Sequence, residues 1–129
     1  MITHPDMDPV QITKKLGLKP NHCSRQGEPR VMPNGQPLPG TYRDTRWSLS
    51  FSNHENMTIA DLVTKAVGTL PVGSDFWSDL SRTGGKAELI LAVVGTKYQG
   101  TSLDADIVRS LAEMGMRLGL EIYAVPQNG

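Results

Sequence analysis

Two segments of this chain alternate apolar and polar residues, and this pattern restricts the fold more than any other. In residues 46–52, Trp47, Leu49 and Phe51 alternate with polar residues, and residues 116–125 repeat the alternation. A period of two is typical of a strand that buries only one face. Sheets with one solvated face are usually antiparallel or mixed, because parallel sheets are covered on both faces. The pattern therefore predicts helices on one face of a sheet.

Other segments have the 3.6-residue period of amphipathic helices. Three of them begin after good N-cap residues, namely Asp8, Thr58 and Ser102, and a shorter helix is expected after Ser74. The apolar run "AELILAVVG" predicts a central strand. A chain of 129 residues has the length of one domain. We therefore expect a single α+β domain over residues 1–129, a two-layer sandwich of a mixed or antiparallel sheet with helices on one face.

A protruding hairpin is expected over residues 28–45. Asn34 and Gly35 form a strong hairpin signal, which requires positive φ at both residues in its commonest turn. Four arginines flank or belong to this segment: Arg25, Arg30, Arg43 and Arg46. A guanidinium group can bind a carboxylate through two hydrogen bonds, so these arginines are candidate partner-binding residues. The alternative is that they only keep the surface soluble.

Trp77 is the other candidate binding residue. It follows Phe76 in the short helix, where a half-exposed tryptophan could anchor a partner protein. Trp47, by contrast, lies on the apolar face of its strand and is expected in the core.

The residue types needed for catalysis or metal binding do not occur at the required spacings. His4, His22 and His54 lack the spacing of metal ligands, and a single cysteine, Cys23, excludes an internal disulfide and a zinc site built on cysteine pairs. Gly84-Gly85-Lys86 does not match a phosphate-binding loop. We therefore expect no catalytic residues, no metal and no cofactor, and the protein is not expected to be an enzyme.

Charge and hydropathy argue against two further classes of partner. The net charge is zero, which disfavours nucleic acid because that affinity depends on a basic surface. No apolar run approaches the 18 residues of a membrane span. A start without a leader-like pattern, together with the lone cysteine, predicts a cytoplasmic protein.

Four stretches of the sequence resemble a known bacterial family, the domain of unknown function 4279. They are "DMDPVQITKKLGLKP", "QGE", "RWSLSF" and "LAEMGMRLGLEIYAV", and the resemblance extends from about Asp6 to Val125. It implies a small bacterial cytoplasmic domain, and no catalytic residues can be carried over. Family members usually have a strand before the Asp-Pro helix, whereas here only "MITHPDM" precedes Asp8. The resemblance therefore implies a truncated start and a vacant or stunted sheet edge beside the first helix.

These observations favour a non-catalytic protein-binding module with a regulatory or immunity-like role. Its partner would be another protein or a second copy of the chain, bound through the incomplete sheet edge. The alternative is a small-molecule sensor or enzyme with a cleft between the 28–45 hairpin and the sheet. His22, Cys23, Glu28 and Arg46 would line that cleft.

Overall fold

The computed structural model describes residues 1–51, 58–94 and 101–123. Within these ranges the chain forms four helices and seven strands. In chain order they are β1 (Ile2–His4), α1 (Pro9–Leu16), β2 (His22–Ser24), β3 (Pro29–Val31), β4 (Pro37–Thr41), β5 (Thr45–Ser48), α2 (Ile59–Thr69), α3 (Phe76–Arg82), β6 (Lys86–Val94), α4 (Ala105–Glu113) and β7 (Met116–Tyr123).

The main sheet has five strands in the order β2-β5-β1-β6-β7. Its β2–β5, β5–β1 and β1–β6 pairs are antiparallel, whereas β6 and β7 are parallel. Helix α4 connects these two parallel strands, because a parallel pair needs a crossover connection. β3 and β4 form a separate two-stranded sheet. The predicted α+β class with a mixed sheet is confirmed.

One apolar core joins the helices to one face of the main sheet. Its buried strand residues are Ile2, Trp47, Ala87, Leu89 and Leu91, and all four helices contribute to the same cluster. Those strand residues share a face, because they pair across the sheet or lie two residues apart along a strand. The predicted two-layer arrangement, with helices on one face, follows from this single core.

Helix α1 is positioned by its caps and by one contact with β5. The Asp8 carboxylate accepts the backbone N–H of Val10 at 3.0 Å, and Gly17 ends the helix with φ of 67°. The indole N–H of Trp47 donates to Thr13 Oγ1 at 3.0 Å. These contacts confirm the predicted N-cap and show that the helix lies over β5.

Helix α4 begins later than the sequence indicated. Its N-cap is Asp104 rather than Ser102. The face toward the core consists of residues spaced three or four apart, namely Leu103, Ile107, Leu111 and Met114. Val108 lies outside this stripe and is exposed, as is Leu120 on the outermost strand β7.

Thr45 connects three parts of the fold. Its side chain is fully buried, and its hydroxyl donates to the carbonyl of Met7 at 2.6 Å while accepting the N–H of Gln26 at 3.2 Å. β5 is thereby tied to the residue before the α1 cap and to the loop that leads into β3.

Thr45→Val is expected to reduce the free energy of unfolding by about 1–3 kcal/mol, because it leaves the Met7 carbonyl and the Gln26 N–H without the partner of their partly buried hydrogen bonds. Urea denaturation measures this change. Thr64→Val is the matched control, since Thr64 is on the exposed part of α2 and donates only to the carbonyl of Ala60. Equal losses in the two variants would contradict the role assigned to Thr45.

Candidate functional site

The β3–β4 hairpin, residues 29–41, is called the ribbon below. Its strands pair Pro29 with Thr41 and Val31 with Pro37. At its tip the N–H of Gly35 donates to the carbonyl of Met32 at 2.8 Å, and Gly35 has φ of 87°. Asn34 does not have positive φ, so the expected turn with two such residues is wrong. Pro33 has a fixed negative φ, which suits a turn followed by a single left-handed glycine.

The ribbon is attached to the rest of the molecule mainly at its base. The N–H of Gly27 donates to the carbonyl of Tyr42 at 2.9 Å, and the N–H of Tyr42 donates to the carbonyl of Glu28 at 3.0 Å. The Tyr42 hydroxyl accepts the N–H of Val31 at 3.2 Å. All three residues of β3 are exposed, and so are four of the five in β4. The ribbon therefore protrudes, as expected.

The structure divides the four candidate arginines into two kinds. Arg25 lies 3.7 Å from a carboxylate oxygen of Asp8, and Arg46 donates to Asp44 at 3.2 Å. Arg25 and Arg46 therefore each already have a carboxylate partner within the chain. Arg46 also lies on the solvent-facing side of β5 rather than on the ribbon.

The other two arginines belong to the ribbon and its base. Arg30 donates to the carbonyl of Pro39 at 3.4 Å. No carboxylate pairs with Arg30 or Arg43 in the part of the chain that the structure describes. These two guanidinium groups are therefore available to a partner's carboxylates.

Trp77 is not half exposed, so that expectation is wrong. Its side chain is 2% exposed, and its indole N–H donates to the carbonyl of Pro71 at 2.8 Å. Its ring meets that of Phe76 edge to face, with centroids 5.0 Å apart. Phe76, Trp77 and Leu80 are the buried residues of α3, so both aromatic rings belong to the core. A partner cannot reach Trp77 in this arrangement.

The residues expected to line a cleft behind the hairpin do not form one cluster. His22 and Cys23 are adjacent in β2, so their side chains point to opposite faces of the sheet. Both described cavities lie elsewhere and are lined by other residues. Within residues 1–51, 58–94 and 101–123, no group of three histidine, cysteine, aspartate or glutamate side chains could hold a metal ion.

His4 is a buried residue that the sequence did not single out. Its Nδ1 accepts the N–H groups of Asp6 at 3.1 Å and Met7 at 2.9 Å. Nε2 then carries the proton and donates to Thr83 Oγ1 at 2.8 Å. Because Nδ1 is an acceptor, the nearby Asp6 carboxylate is not its ion-pair partner. This histidine holds the turn before α1 rather than performing chemistry.

The strand before α1 is short, but it is not at a sheet edge. β1 has three residues and lies third of five, between β5 and β6. The expected vacant or stunted edge is therefore wrong in its position: the short strand is central. β6 has nine residues, and β1 pairs with Lys86 and Ala87 near its start. A gap lies between β5 and β6 beside Met1, at the N-terminal end of β1.

This gap, called the slot below, has a volume of about 430 Å³. Its lining comes from the chain at and after the end of β5, from the middle of β6 and from α2; it comprises Met1, residues 48–51, Leu62, Ala66 and residues 89–92. The Met1 ammonium closes one end and donates to the carbonyl of Glu88 at 2.6 Å. Burial lowers the pKa of this ammonium, and the nearby Glu88 carboxylate partly opposes that shift.

A smaller cavity of about 280 Å³ lies where β6 and β7 begin. Trp77, Leu80 and Met114 give it an apolar wall, and Lys86 and Arg117 are among its polar lining residues. Glu88 also contributes, so charges of both signs surround the opening.

A protein-family model described as "Domain of unknown function (DUF4279)" matches residues 1–125. The chain belongs to the DUF4279 family. The match covers nearly the whole chain, from the residue before β1 to beyond β7, and confirms the resemblance given by the sequence. No curated protein and no solved structure matches this DUF4279 domain. None of its helices in the described ranges has the length and apolarity to cross a membrane.

Proposed function

We propose that this DUF4279 domain is a non-catalytic protein-binding module with a regulatory or immunity-like role, and that the ribbon is its main recognition element. One observation supports this proposal above the others. The ribbon exposes Val31 and Met32 to 49% and 39%. Arg30 is in the same hairpin, and Arg43 follows it at the base. Apolar side chains and arginines are placed together on a segment that little of the domain covers.

Energetics favour a partner for such a segment. A two-stranded ribbon is at best marginally stable by itself, so exposing apolar residues on it contributes little to the fold. Methionine and arginine are enriched in protein interfaces, and arginine is common among residues that dominate binding energy. The complementary surface would carry an apolar patch flanked by carboxylates, which arginine binds in a bidentate manner.

Native mass spectrometry of the tagged domain, purified gently from its own host, tests this proposal. We expect one chain in complex with a stoichiometric second protein. The Arg30→Ser/Arg43→Ser double variant should lose at least nine-tenths of that complex, because both available guanidinium groups are removed.

Arg82→Ser/Arg109→Ser is the matched control, because these arginines are exposed on helices and pair with Asp79 and Asp106. It removes the same charge away from the ribbon and should keep the partner. Equal retention by the two variants would contradict a role for the ribbon. A homodimer that survives both double substitutions would show that its interface lies on a surface other than the ribbon.

A second candidate function is a small-molecule sensor or enzyme. The observation that favours it is the 280 Å³ cavity, with its apolar wall and its charged groups. This location differs from the expected cleft between the 28–45 hairpin and the sheet. One chain with a small retained mass in the same spectrum would support this candidate.

A cytoplasmic location is part of the main proposal and is supported by the single, unpaired Cys23.

A further inference from the structure

Strand β7 forms one edge of the main sheet and pairs on its inner side with β6. Within residues 1–51, 58–94 and 101–123 no strand pairs with its outer side. A strand directs alternate backbone N–H and C=O groups to its two sides, so half of these groups in β7 point away from β6. Edge strands are usually kept short or interrupted by proline, which prevents pairing with another chain. β7 has eight residues and no proline, so this edge remains suited to pairing.

The middle of β7 is complementary to itself. Residues 117–121 read Arg-Leu-Gly-Leu-Glu, with Gly119 at the centre. A second, antiparallel copy of the strand centred on Gly119 brings Arg117 opposite Glu121 twice and Leu118 opposite Leu120 twice. Opposite charges and apolar side chains are cross-strand pairs that stabilise a sheet.

The charges of β7 select this register. Arg117 forms no ion pair within the described residues. Glu121 has an interaction within the chain, but a carboxylate has two oxygens and can accept from a further donor. If the centre moved to Leu118 or Leu120, both pairs of arginine with glutamate would be lost.

Apolar surface borders the same edge on the face that carries the helices. Leu120 is 54% exposed, although the residue opposite it on β6, Leu91, is buried. Val108 of α4 is 50% exposed and follows Ile107, which packs against the core. Helix α2 packs against α4 but leaves the flank with Val108 uncovered. Because α4 joins the two outermost strands on this side, that flank lies toward the outer edge of β7.

We propose that two copies of this chain form a transient dimer through β7, with the two strands antiparallel and Gly119 of each copy on the two-fold axis. Each copy then contributes the same surface, as a two-fold interface requires. The paired residues face the same side of the sheet when the axis is perpendicular to it. The two five-stranded sheets therefore become one continuous sheet with all helices on one face.

The dimer contact is separate from the ribbon. It uses residues 108–121 and no terminal residue, whereas the ribbon joins β2 to β5 at the opposite end of the strand order. Both ribbons therefore remain accessible to a partner protein. Pairing of one short strand buries a small area, and interfaces of this size bind weakly. The dimer should therefore form at high protein concentration and separate on dilution.

Sedimentation equilibrium of the 129-residue chain tests the inference between about 10 μM and about 1 mM, a range in which weak complexes associate. We expect the average mass to rise from one chain toward two. Arg117→Glu places like charges opposite each other twice and should weaken association about tenfold or more. Arg117→Glu/Glu121→Arg restores opposite charges in the reverse order, so this double variant should dimerise like the unchanged chain.

Disulfide cross-linking tests the register in a chain that also carries Cys23→Ser. Gly119→Cys places two thiols opposite each other, with Cα atoms about 5 Å apart, which a disulfide can span. The atom nearest to an added Cβ is Oε1 of Glu88, at 2.7 Å, and the end of this flexible side chain can move aside. Leu120→Cys is the matched control, because its two Cα atoms would be about 8 Å apart. Mild oxidation should therefore link Gly119→Cys and leave Leu120→Cys mainly unlinked.

Three results would overturn the dimer: a mass that stays at one chain up to 1 mM, equal linking of the two cysteine variants, or no recovery in the charge-reversed double variant. The ribbon variant Arg30→Ser/Arg43→Ser should dimerise like the unchanged chain, because neither arginine lies in the contact. Failure of the dimer would therefore leave the proposed function untouched, since that function is tested by the retained partner protein.

Discussion

Replacing Trp77 by alanine is expected to lower the free energy of unfolding by about 3–5 kcal/mol. The indole is almost fully buried in α3, packs against Phe76 and also lines the wall of the 280 Å³ cavity. Truncation would remove apolar contacts from the core and enlarge a void that the surrounding side chains can only partly fill. It would also leave the carbonyl of Pro71 without the indole N–H.

Trp77→Phe distinguishes packing from the hydrogen bond. It keeps much of the apolar volume while removing the indole N–H, so its loss should be smaller than that of Trp77→Ala. Urea denaturation followed by circular dichroism measures both variants. If Trp77→Ala cost no more than an exposed substitution, about 0.5 kcal/mol, Trp77 would be accessible in solution and its predicted role as a partner anchor would return.

Gly85→Ala is expected to destabilise the fold by about 1–3 kcal/mol, the usual cost of overpacking a filled site. A Cβ atom at this position would lie 2.5 Å from Leu80 Cδ1 and 2.8 Å from the Leu80 carbonyl oxygen. The backbone cannot move away easily, because the N–H of Gly85 donates to that same carbonyl at 2.7 Å. Glycine is therefore needed here for close approach between the end of α3 and the start of β6.

Gly68→Ala is the matched control for Gly85→Ala. A Cβ atom at Gly68 meets nothing within 4 Å, and the residue lies inside α2. Alanine should stabilise this helix by about 0.5–1 kcal/mol, because glycine is a poor helix former. Thermal denaturation of the two variants should therefore shift in opposite directions. Shifts of the same sign would show that contact with Leu80 is not what restricts residue 85.

Patterns local in sequence predicted much of the fold. The N-caps at Asp8 and Thr58 form as expected, because a cap depends on neighbouring residues alone. The alternation after Arg46 correctly predicted a one-sided strand. These signals operate within one or two turns, so they do not depend on which elements later become neighbours.

Features that depend on distant contacts were not predictable in the same way. Trp77 was misplaced because a short helix next to glycines gives no indication of the direction from which the core covers it. The strand order was also hidden: nothing in "MITHPDM" indicates that Ile2 lies between Trp47 and Ala87. The slot arises from that order, so the sequence alone could not locate it.

The central position of β1 also determines when the fold can be completed. Met1 is bonded to Glu88, a residue 87 positions later in the chain. During synthesis, the first residues would therefore wait until β6 has left the ribosome before they could pair on that side. Contacts this distant slow folding, because the entropy of closing a long loop is lost before any pairing compensates for it. Until then the edge of β1 that later pairs with β6 has no neighbour, and an unpaired strand edge is exposed to pairing with another chain.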